Sequence, residues 1–328
     1  MMVPAILVTG GAGFIGSHTC KRLAVEGFLP VAFDDLRTGT AGAVKWGPLI
    51  QGNVLDTEAL NAALLQFRPA ALIHFAASAY VGESVAEPAQ YYRNNVVGML
   101  SVLDACRMGG VENIIFSSSC ATYGIPNKLP IQEDTAQNPI NPYGRTKLIG
   151  EQMLNDFSCA YGVNYVALRY FNACGADPAG DLAERHDPET HLIPRALLAA
   201  SGRIGPLGIF GDDYDTADGT CVRDYVHVSD LARAHVLATR HLLAGGANLK
   251  VNLGTGQGAS ILQVLEAVKR ITKRTVPVEV LPRRAGDPPA LFADARRARE
   301  MLGFIAELSD LDTIVRTAAP SFGLGGQS

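Results

Sequence analysis

The run Thr9-Gly10-Gly11-Ala12-Gly13-Phe14-Ile15-Gly16 constrains this chain more than any other feature. It follows the apolar run Val3 to Val8, and apolar residues then recur at helical spacing from Phe14 to Glu26. A strand that turns through glycines into a helix brings bare backbone close to a pyrophosphate. The helix N-terminus offers that anion free N–H groups and the positive end of its dipole. Gly10, Gly13, Phe14, Ile15 and Gly16 are therefore candidate dinucleotide contacts. An ordinary strand-to-helix turn is the plain alternative, but the elements on both sides are those of a cofactor loop.

The rest of the chain repeats this alternation. Leu29–Phe33, Ala70–Phe75, Ile114–Ser117 and Val163–Tyr170 read as buried strands. Asp56–Phe67, Tyr91–Met108 and Asn141–Tyr161 read as helices between them. Continuous apolar strands alternating with helices predict a parallel sheet covered on both faces, with right-handed crossovers. The expected fold class is α/β: a doubly wound parallel sheet (Rossmann-type) with a smaller C-terminal mixed α/β substrate lobe. The dinucleotide-binding domain is expected over 1–172, its sheet completed by segments after 225, and the substrate lobe over 173–328. Residues 174–190 and 202–224 are rich in Gly and Asp and read as long functional loops. Lys250–Leu253, Leu262–Thr272 and Val276–Leu281 continue the alternation, and Gly323–Ser328 reads as a frayed tail.

Composition narrows the function. A 328-residue chain that is 48% hydrophobic and 18% charged has material for a sizeable core. Its net charge of −4 offers no basic excess for nucleic acid or anionic lipid. Six cysteines without a CxxC pair read as reduced thiols, which predicts a cytoplasmic protein. No segment approaches a membrane span or a signal core. A small-molecule partner is what remains.

The second strand ends in Asp34-Asp35, about twenty residues past the glycines. A carboxylate there accepts hydrogen bonds from a ribose 2′-hydroxyl and repels a 2′-phosphate, which favours NAD over NADP. Asn53-Val54 follows the next apolar run, where the adenine edge belongs. Phe75-Ala76-Ala77 ends a strand with small residues that suit close approach of a cofactor.

Tyr143-Gly144-Arg145-Thr146-Lys147 places Tyr and Lys on one helix face, with Asn141 as N-cap and Pro142 at the first position. A nearby ammonium and a positive nicotinamide both favour phenolate, so the two together are expected to lower the Tyr143 pKa and let it take a proton from an alcohol. Ser119 closes the strand that ends Ser117-Ser118-Ser119, at the sheet edge that faces the ligand crevice, and is placed to share that proton. Alone, YxxxK reads as a solvated Lys beside an exposed Tyr, and a serine-rich strand end as backbone satisfaction. In this order with the glycine loop they are far more specific.

With these pieces the chain resembles the extended short-chain dehydrogenase/reductases over nearly its whole length, on the nucleotide-sugar side of that family. The resemblance also rests on His74-Phe75-Ala76-Ala77, Val81-Gly82-Glu83-Ser84, Tyr91-Tyr92-Arg93-Asn94-Asn95, Arg169-Tyr170-Phe171-Asn172, Gly219–Val228 and Arg283–Asp287. It implies tightly held NAD and 4-epimerisation of a UDP-sugar, with UDP-glucose/UDP-galactose interconversion first among the choices. It implies Ser119, Tyr143 and Lys147 as catalytic residues. Leu36, Thr38, Gly39, Asn94, Ser117, Tyr170 and Phe171 join the cofactor contacts. Asn172, His191, Leu192, Phe210, Arg223, Tyr225, Arg284, Asp287 and Leu291 join Ser119 and Tyr143 around the sugar nucleotide. Guanidinium forks match phosphate oxygens, which supports the two arginines independently, although the default for any single Arg is a solvated surface charge. The resemblance further implies a homodimer that pairs the Tyr91–Met108 and Asn141–Tyr161 helices.

Some positions depart from the family pattern. Asn53 stands where many members carry Asp, Ala79 where some carry Lys, and His191 where many carry Asn. Leu291 holds the position that limits room around the sugar 2-substituent and is intermediate in size, so UDP-pentose, UDP-uronate and UDP-N-acetylhexosamine stay open. Related dehydratases place acids where Cys120 and Ala121 stand, and decarboxylases place Glu at the Ala121 position; neither acid is here. A non-catalytic NAD-binding module would not keep Ser119, Tyr143 and Lys147 together. His227 reads as a packing residue. His186 and His191 sit among acids in a polar loop, but their spacing suggests no metal.

Overall fold

A computed structural model describes residues 3–284 and 287–325. Strands β1 (Ala5–Thr9), β2 (Leu29–Asp34), β3 (Leu49–Gln51), β4 (Ala71–His74), β5 (Asn113–Ser119) and β6 (Asn164–Tyr170) form a parallel sheet. The strand Leu249–Leu253 joins it beside β6, so the spatial order is Leu249–Leu253, β6, β5, β4, β1, β2, β3. From β1 the chain first winds outward through β2 and β3. It then crosses back to β4 and winds the other way, which makes β1/β4 the switch point of a doubly wound sheet.

Successive side chains of each strand enter opposite cores. Ile6, Val8, Ile73, Ile115, Val166 and Leu168 pack on one face, against Leu23 of the helix Phe14–Val25 and Leu231 and Val236 of the helix Val228–Leu243. Leu7, Val31, Phe33, Leu72, Ile114 and Phe116 pack on the other. There they meet the helices Thr57–Phe67, Gly98–Gly109 and Pro142–Tyr161 through Leu60, Leu103 and Leu154. Burial on both sides is why these strands read as unbroken apolar runs.

The second lobe is built from short pieces. Asn172–Cys174 pairs with Tyr225–His227, Leu207–Phe210 with Val278–Leu281, and Val222–Arg223 lies between Ala259–Ser260 and Ala290–Leu291. Its core gathers Ile193, Leu197, Val264, Val268, Ile314 and Val315. Residues from Val228 to Leu253 return to the large sheet before the chain re-enters this lobe.

Two expectations need correction. The helix expected over Tyr91–Met108 is a longer rod, from Pro88 to Gly109, whose Tyr92–Val97 segment winds with the wider π spacing. Asn94 and Asn95 are buried within that segment, and such π widenings often occur at functional sites. The tail is not frayed from Gly323: Phe322 and Leu324 are buried in the second lobe's core. Residues 326–328 of that tail, and Ala285 and Gly286 of the Arg283–Asp287 motif, lie outside the described residues. Among the described residues no helix is long and apolar enough to cross a membrane.

Candidate active site

The ends of β1 and β4 flank the crevice where open α/β sheets hold ligands. The glycine loop lies in it under tight steric control. Gly10 has φ +73°, and a Cβ there would stand 2.7 Å from the Ala76 nitrogen. A Cβ on Gly16 would run into the Gly10 carbonyl. Gly13 meets only that carbonyl, at 3.3 Å, and its outer side is clear. Gly13 also caps the helix Phe14–Val25 without a side-chain acceptor, so the first-turn N–H groups of Phe14 and Ile15 present the donor set a pyrophosphate needs. The residues present thus fit a dinucleotide.

Asp34 does more than the sequence suggested. Its Oδ2 accepts from the Ala12 N–H and its Oδ1 from the Leu36 N–H, both at 2.9 Å, so it latches the glycine loop to the end of β2. A carboxylate has about four acceptor sites, which leaves capacity for ribose hydroxyls. Burial pushes the Asp34 carboxyl up. Asp35 accepts from Asn53 Nδ2 at 2.9 Å and Arg37 Nε at 2.6 Å, while Arg37 Nη2 donates to Asn94 Oδ1 at 2.9 Å. The segment Leu36–Gly39, with Thr38, folds against the loop: a Cβ on Gly39 would stand 2.8 Å from the Ala12 carbonyl carbon. Phe75 and Ala76 donate to the Thr9 carbonyl at 2.9 and 3.1 Å, which places Ala77 at the mouth, and Val54 is buried nearby in the sheet's core. Ser117 and Tyr170 are buried and hydrogen-bond one another, and Phe171 packs with Tyr123, Ile131 and Ala293, toward Leu291.

The group expected to be catalytic is assembled by a helix start. Asn141 Oδ1 accepts from the Gly144 N–H at 2.8 Å, so Tyr143 stands in the first turn. A Cβ on Gly144 would collide with the Ala121 carbonyl, so only glycine lets this turn press against the segment after Ser119. Burial pushes the Tyr143 phenol up to about 12, with the adjoining Ser119 hydroxyl pulling the other way. Lys147 is 3% exposed; its Nζ donates to the Ser117 carbonyl at 2.7 Å and lies 5.8 Å from the Tyr143 ring centroid. Burial pushes the Lys147 ammonium down to about 7. In the protein alone, burial disfavours the charged form of both groups.

Behind these residues lies a buried network that motif reading missed. Arg169 grips Glu151 with two bonds, Nε to Oε1 at 2.8 Å and Nη2 to Oε2 at 2.6 Å, both side chains almost fully buried. Ser118 donates to Glu151 Oε1 at 2.6 Å, and Arg169 Nη1 reaches the Tyr123 hydroxyl at 2.7 Å. Burial alone would push Glu151 up, but the bonded Arg169 holds it below the usual carboxylate range. The signal was available: Glu151 follows Lys147 by one helical turn, so it had to face the same sheet.

Among the residues expected around the sugar nucleotide, Arg223 Nη2 pairs with Asp287 Oδ1 at 2.6 Å, and Leu291 sits opposite Arg223 in the short sheet. Asn172 Nδ2 donates to the Asp224 carbonyl at 3.2 Å. Arg284 stacks over the Phe210 ring, 3.7 Å from its centroid. Leu192 packs into the second lobe's cores, and Tyr225 is buried beside Ile193 and Val264. Asp224, fully buried, accepts from Thr255 and from the Ala293 N–H and ties this sheet to the strand end at Leu253. His227 caps the helix Val228–Leu243 through the Ser229 N–H at 3.1 Å, a structural use.

His191 does not stand alone. Its Nδ1 lies 2.9 Å from Glu189 Oε1, which leaves only its Nε2 edge for a phosphate. Spacing suggested no metal set here, yet the folded loop brings Glu184, His186, Glu189 and His191 together, with ligand atoms within 4.8 Å of one another.

Residues 6–254 match the model of the NAD dependent epimerase/dehydratase family. A UDP-glucose 4-epimerase from Rhizobium leguminosarum bv. trifolii is 49% identical over 313 residues, 95% of each chain. The crystal structure of UDP-glucose 4-epimerase from Brucella ovis in complex with NAD is 62% identical, with a TM-score of 0.98 over 99% of this chain and 100% of that one. The UDP-glucose 4-epimerase from Bifidobacterium longum in complex with NAD+ and UDP is 38% identical, with a TM-score of 0.91 over 96% and 97%.

Proposed function

This chain belongs to the NAD-dependent epimerase/dehydratase family, and from that premise we propose that the site described above performs NAD-dependent 4-epimerisation of UDP-glucose, interconverting it with UDP-galactose. The observation that carries the residue assignment is the meeting of Tyr143, Ser119 and Lys147 at the sheet edge beside the glycine loop.

Asp34, Asp35 and Asn53 hold the adenosine end, and the Gly13–Gly16 helix start holds the pyrophosphate. When bound, NAD supplies a hydride acceptor and donor and a positive charge that favours the Tyr143 phenolate. Tyr143 takes the proton of the sugar 4-hydroxyl, and Ser119, beside the phenol, relays or shares it. Lys147, fixed on the Ser117 carbonyl, orients the cofactor side of the pocket. Arg223 and Arg284 bind the diphosphate with Asn172, His191, Leu192, Phe210, Tyr225 and Asp287 around the nucleotide. The 4-keto sugar turns about its diphosphate link beside Leu291 and presents its other face. Tyr143 then returns the proton, C4 is inverted, and no net oxidation results.

Two further readings rest on independent observations. All six cysteines are free thiols, which supports a cytoplasmic protein. Tyr92, Val97, Leu100, Met108 and Tyr161 are exposed apolar side chains on the two helices named for the dimer, which supports a homodimer. The assignment of Tyr143 is tested by Tyr143→Phe. Turnover should fall by about 10²- to 10⁴-fold with the retained NAD unchanged. A variant with full turnover would overturn the assignment.

A further inference from the structure

Four donor side chains outside the reacting centre meet in the loop before the helix Leu192–Ala200. His186 Nδ1 lies 3.2 Å from Glu184 Oε1 and 3.4 Å from Glu189 Oε2. His191 Nδ1 lies 3.2 Å from that same Glu184 oxygen and 2.9 Å from Glu189 Oε1. Metal–ligand bonds of ~2.0–2.2 Å in a tetrahedral site imply ligand–ligand edges of about 3.3–3.6 Å. Three of these four separations come near such edges, and with one atom from each side chain the four donors lie within 4.8 Å of one another, so the loop must draw in to close on an ion.

Without an ion the cluster is held by charge: against burial, which would lower it, the Glu184 and Glu189 carboxylates hold the His186 imidazole up to about 9. The Glu184 side chain is 5% exposed and faces the two imidazoles. His186 Nδ1 is buried between the carboxylates of Glu184 and Glu189. A cation entering the cluster would take the place of the imidazole proton between Nδ1 and the two carboxylates. Two neutral imidazoles and two carboxylates carry two negative charges, which a divalent cation neutralises. The N₂O₂ donor set suits zinc rather than calcium or magnesium, which take oxygen ligands alone.

The surroundings are those of a fastening. His186 packs edge-on against Phe14, the first residue of the cofactor helix, and against Tyr80, with ring centroids 6.2 and 6.0 Å away. The same loop is tied to that helix at its other end, where Lys21 pairs with Asp177 at 2.7 Å and Asp181 at 2.8 Å. The Glu189 carboxylate is oriented by the His191 N–H at 2.8 Å. We propose that Glu184, His186, Glu189 and His191 form a structural site for a zinc-type divalent cation that clips this loop of the substrate lobe beside the cofactor helix. Four protein ligands close the site, so the ion has a structural rather than a catalytic position.

The test uses the whole protein with its nucleotide retained. The protein is treated with chelator, incubated with zinc chloride, desalted and analysed for metal by mass spectrometry. Wild type should hold one zinc per chain more than His191→Ala or Glu184→Gln. Cobalt(II) in its place should give the intense visible bands of a tetrahedral ion. His191 is half exposed, so its truncation leaves the fold intact, and this variant keeps all six cysteines, so the difference counts this site alone. Equal metal in wild type and His191→Ala, or a pale octahedral cobalt spectrum, would overturn the proposal and leave the cluster as ion pairs.

Discussion

Lys147→Met should separate what the reaction needs from what the fold prefers. Lys147 is buried, its Nζ donates to the Ser117 carbonyl, and burial lowers its pKa from 10.5 to about 7. That lowering corresponds to roughly 4–5 kcal/mol against the charged form in the folded state. Methionine fills nearly the same space without the charge. It forfeits a charge-assisted hydrogen bond worth about 1.5–3 kcal/mol. The net expectation is a fold stabilised by about 2 kcal/mol near neutral pH and below, in a protein whose turnover falls by two orders of magnitude or more. The sign with pH follows from proton counting. Below about pH 7 the lysine is charged in both folded and unfolded chains, and the folded state bears the full penalty. Between about 7 and 10.5 the unfolded chain binds the proton and the folded one does not, so wild-type stability rises with pH and the variant's advantage fades. Urea unfolding of nucleotide-free wild type and variant at about pH 6, 8 and 10 measures this directly. A variant less stable than wild type at the lowest pH, or a difference flat across the series, would refute the reasoning.

Other residues give sharper yes-or-no outcomes. Glu151→Ala leaves the Arg169 guanidinium buried without its bidentate partner and should cost about 3–5 kcal/mol in urea unfolding; a loss under about 1 kcal/mol would show that the pair is unimportant. Gly16→Ala places a methyl against the Gly10 carbonyl, so the loop must open. Purified protein should then carry little NAD, seen in the absorbance of the acid-released nucleotide, and lose about 1–3 kcal/mol of stability. Leu291→Ala should raise turnover of UDP-N-acetylhexosamine relative to UDP-glucose, and Leu291→Tyr should lower it; an unchanged ratio in both would remove Leu291 from the specificity wall.

The parts legible in the sequence were those set by local pattern. The glycine loop, the apolar strands and the helix start at Asn141-Pro142-Tyr143 each follow from backbone sterics, burial on both faces or capping, all of which leave marks within a few residues. Long-range contacts left weaker marks. Asp34 was read through its spacing to the glycines, yet spacing could not show that its oxygens also bond Ala12 and Leu36. Tyr143 and Lys147 share a helix face, but Lys147 turns to the Ser117 carbonyl on the neighbouring strand, a partner set by packing. Glu151 and Arg169 read as ordinary polar residues until β6 and the Pro142–Tyr161 helix enclose them together. The Glu184–His191 cluster escaped for the same reason: its geometry comes from how an irregular loop folds back on itself, which no periodicity records.

The central claim is C4 inversion by a protein that carries its own NAD and returns the hydride it removes. The most direct test gives purified protein UDP-galactose with no added nucleotide and follows UDP-glucose and the NADH absorbance together. The account predicts UDP-glucose rising to equilibrium with no net NADH. Absence of conversion in protein shown to contain NAD would contradict it.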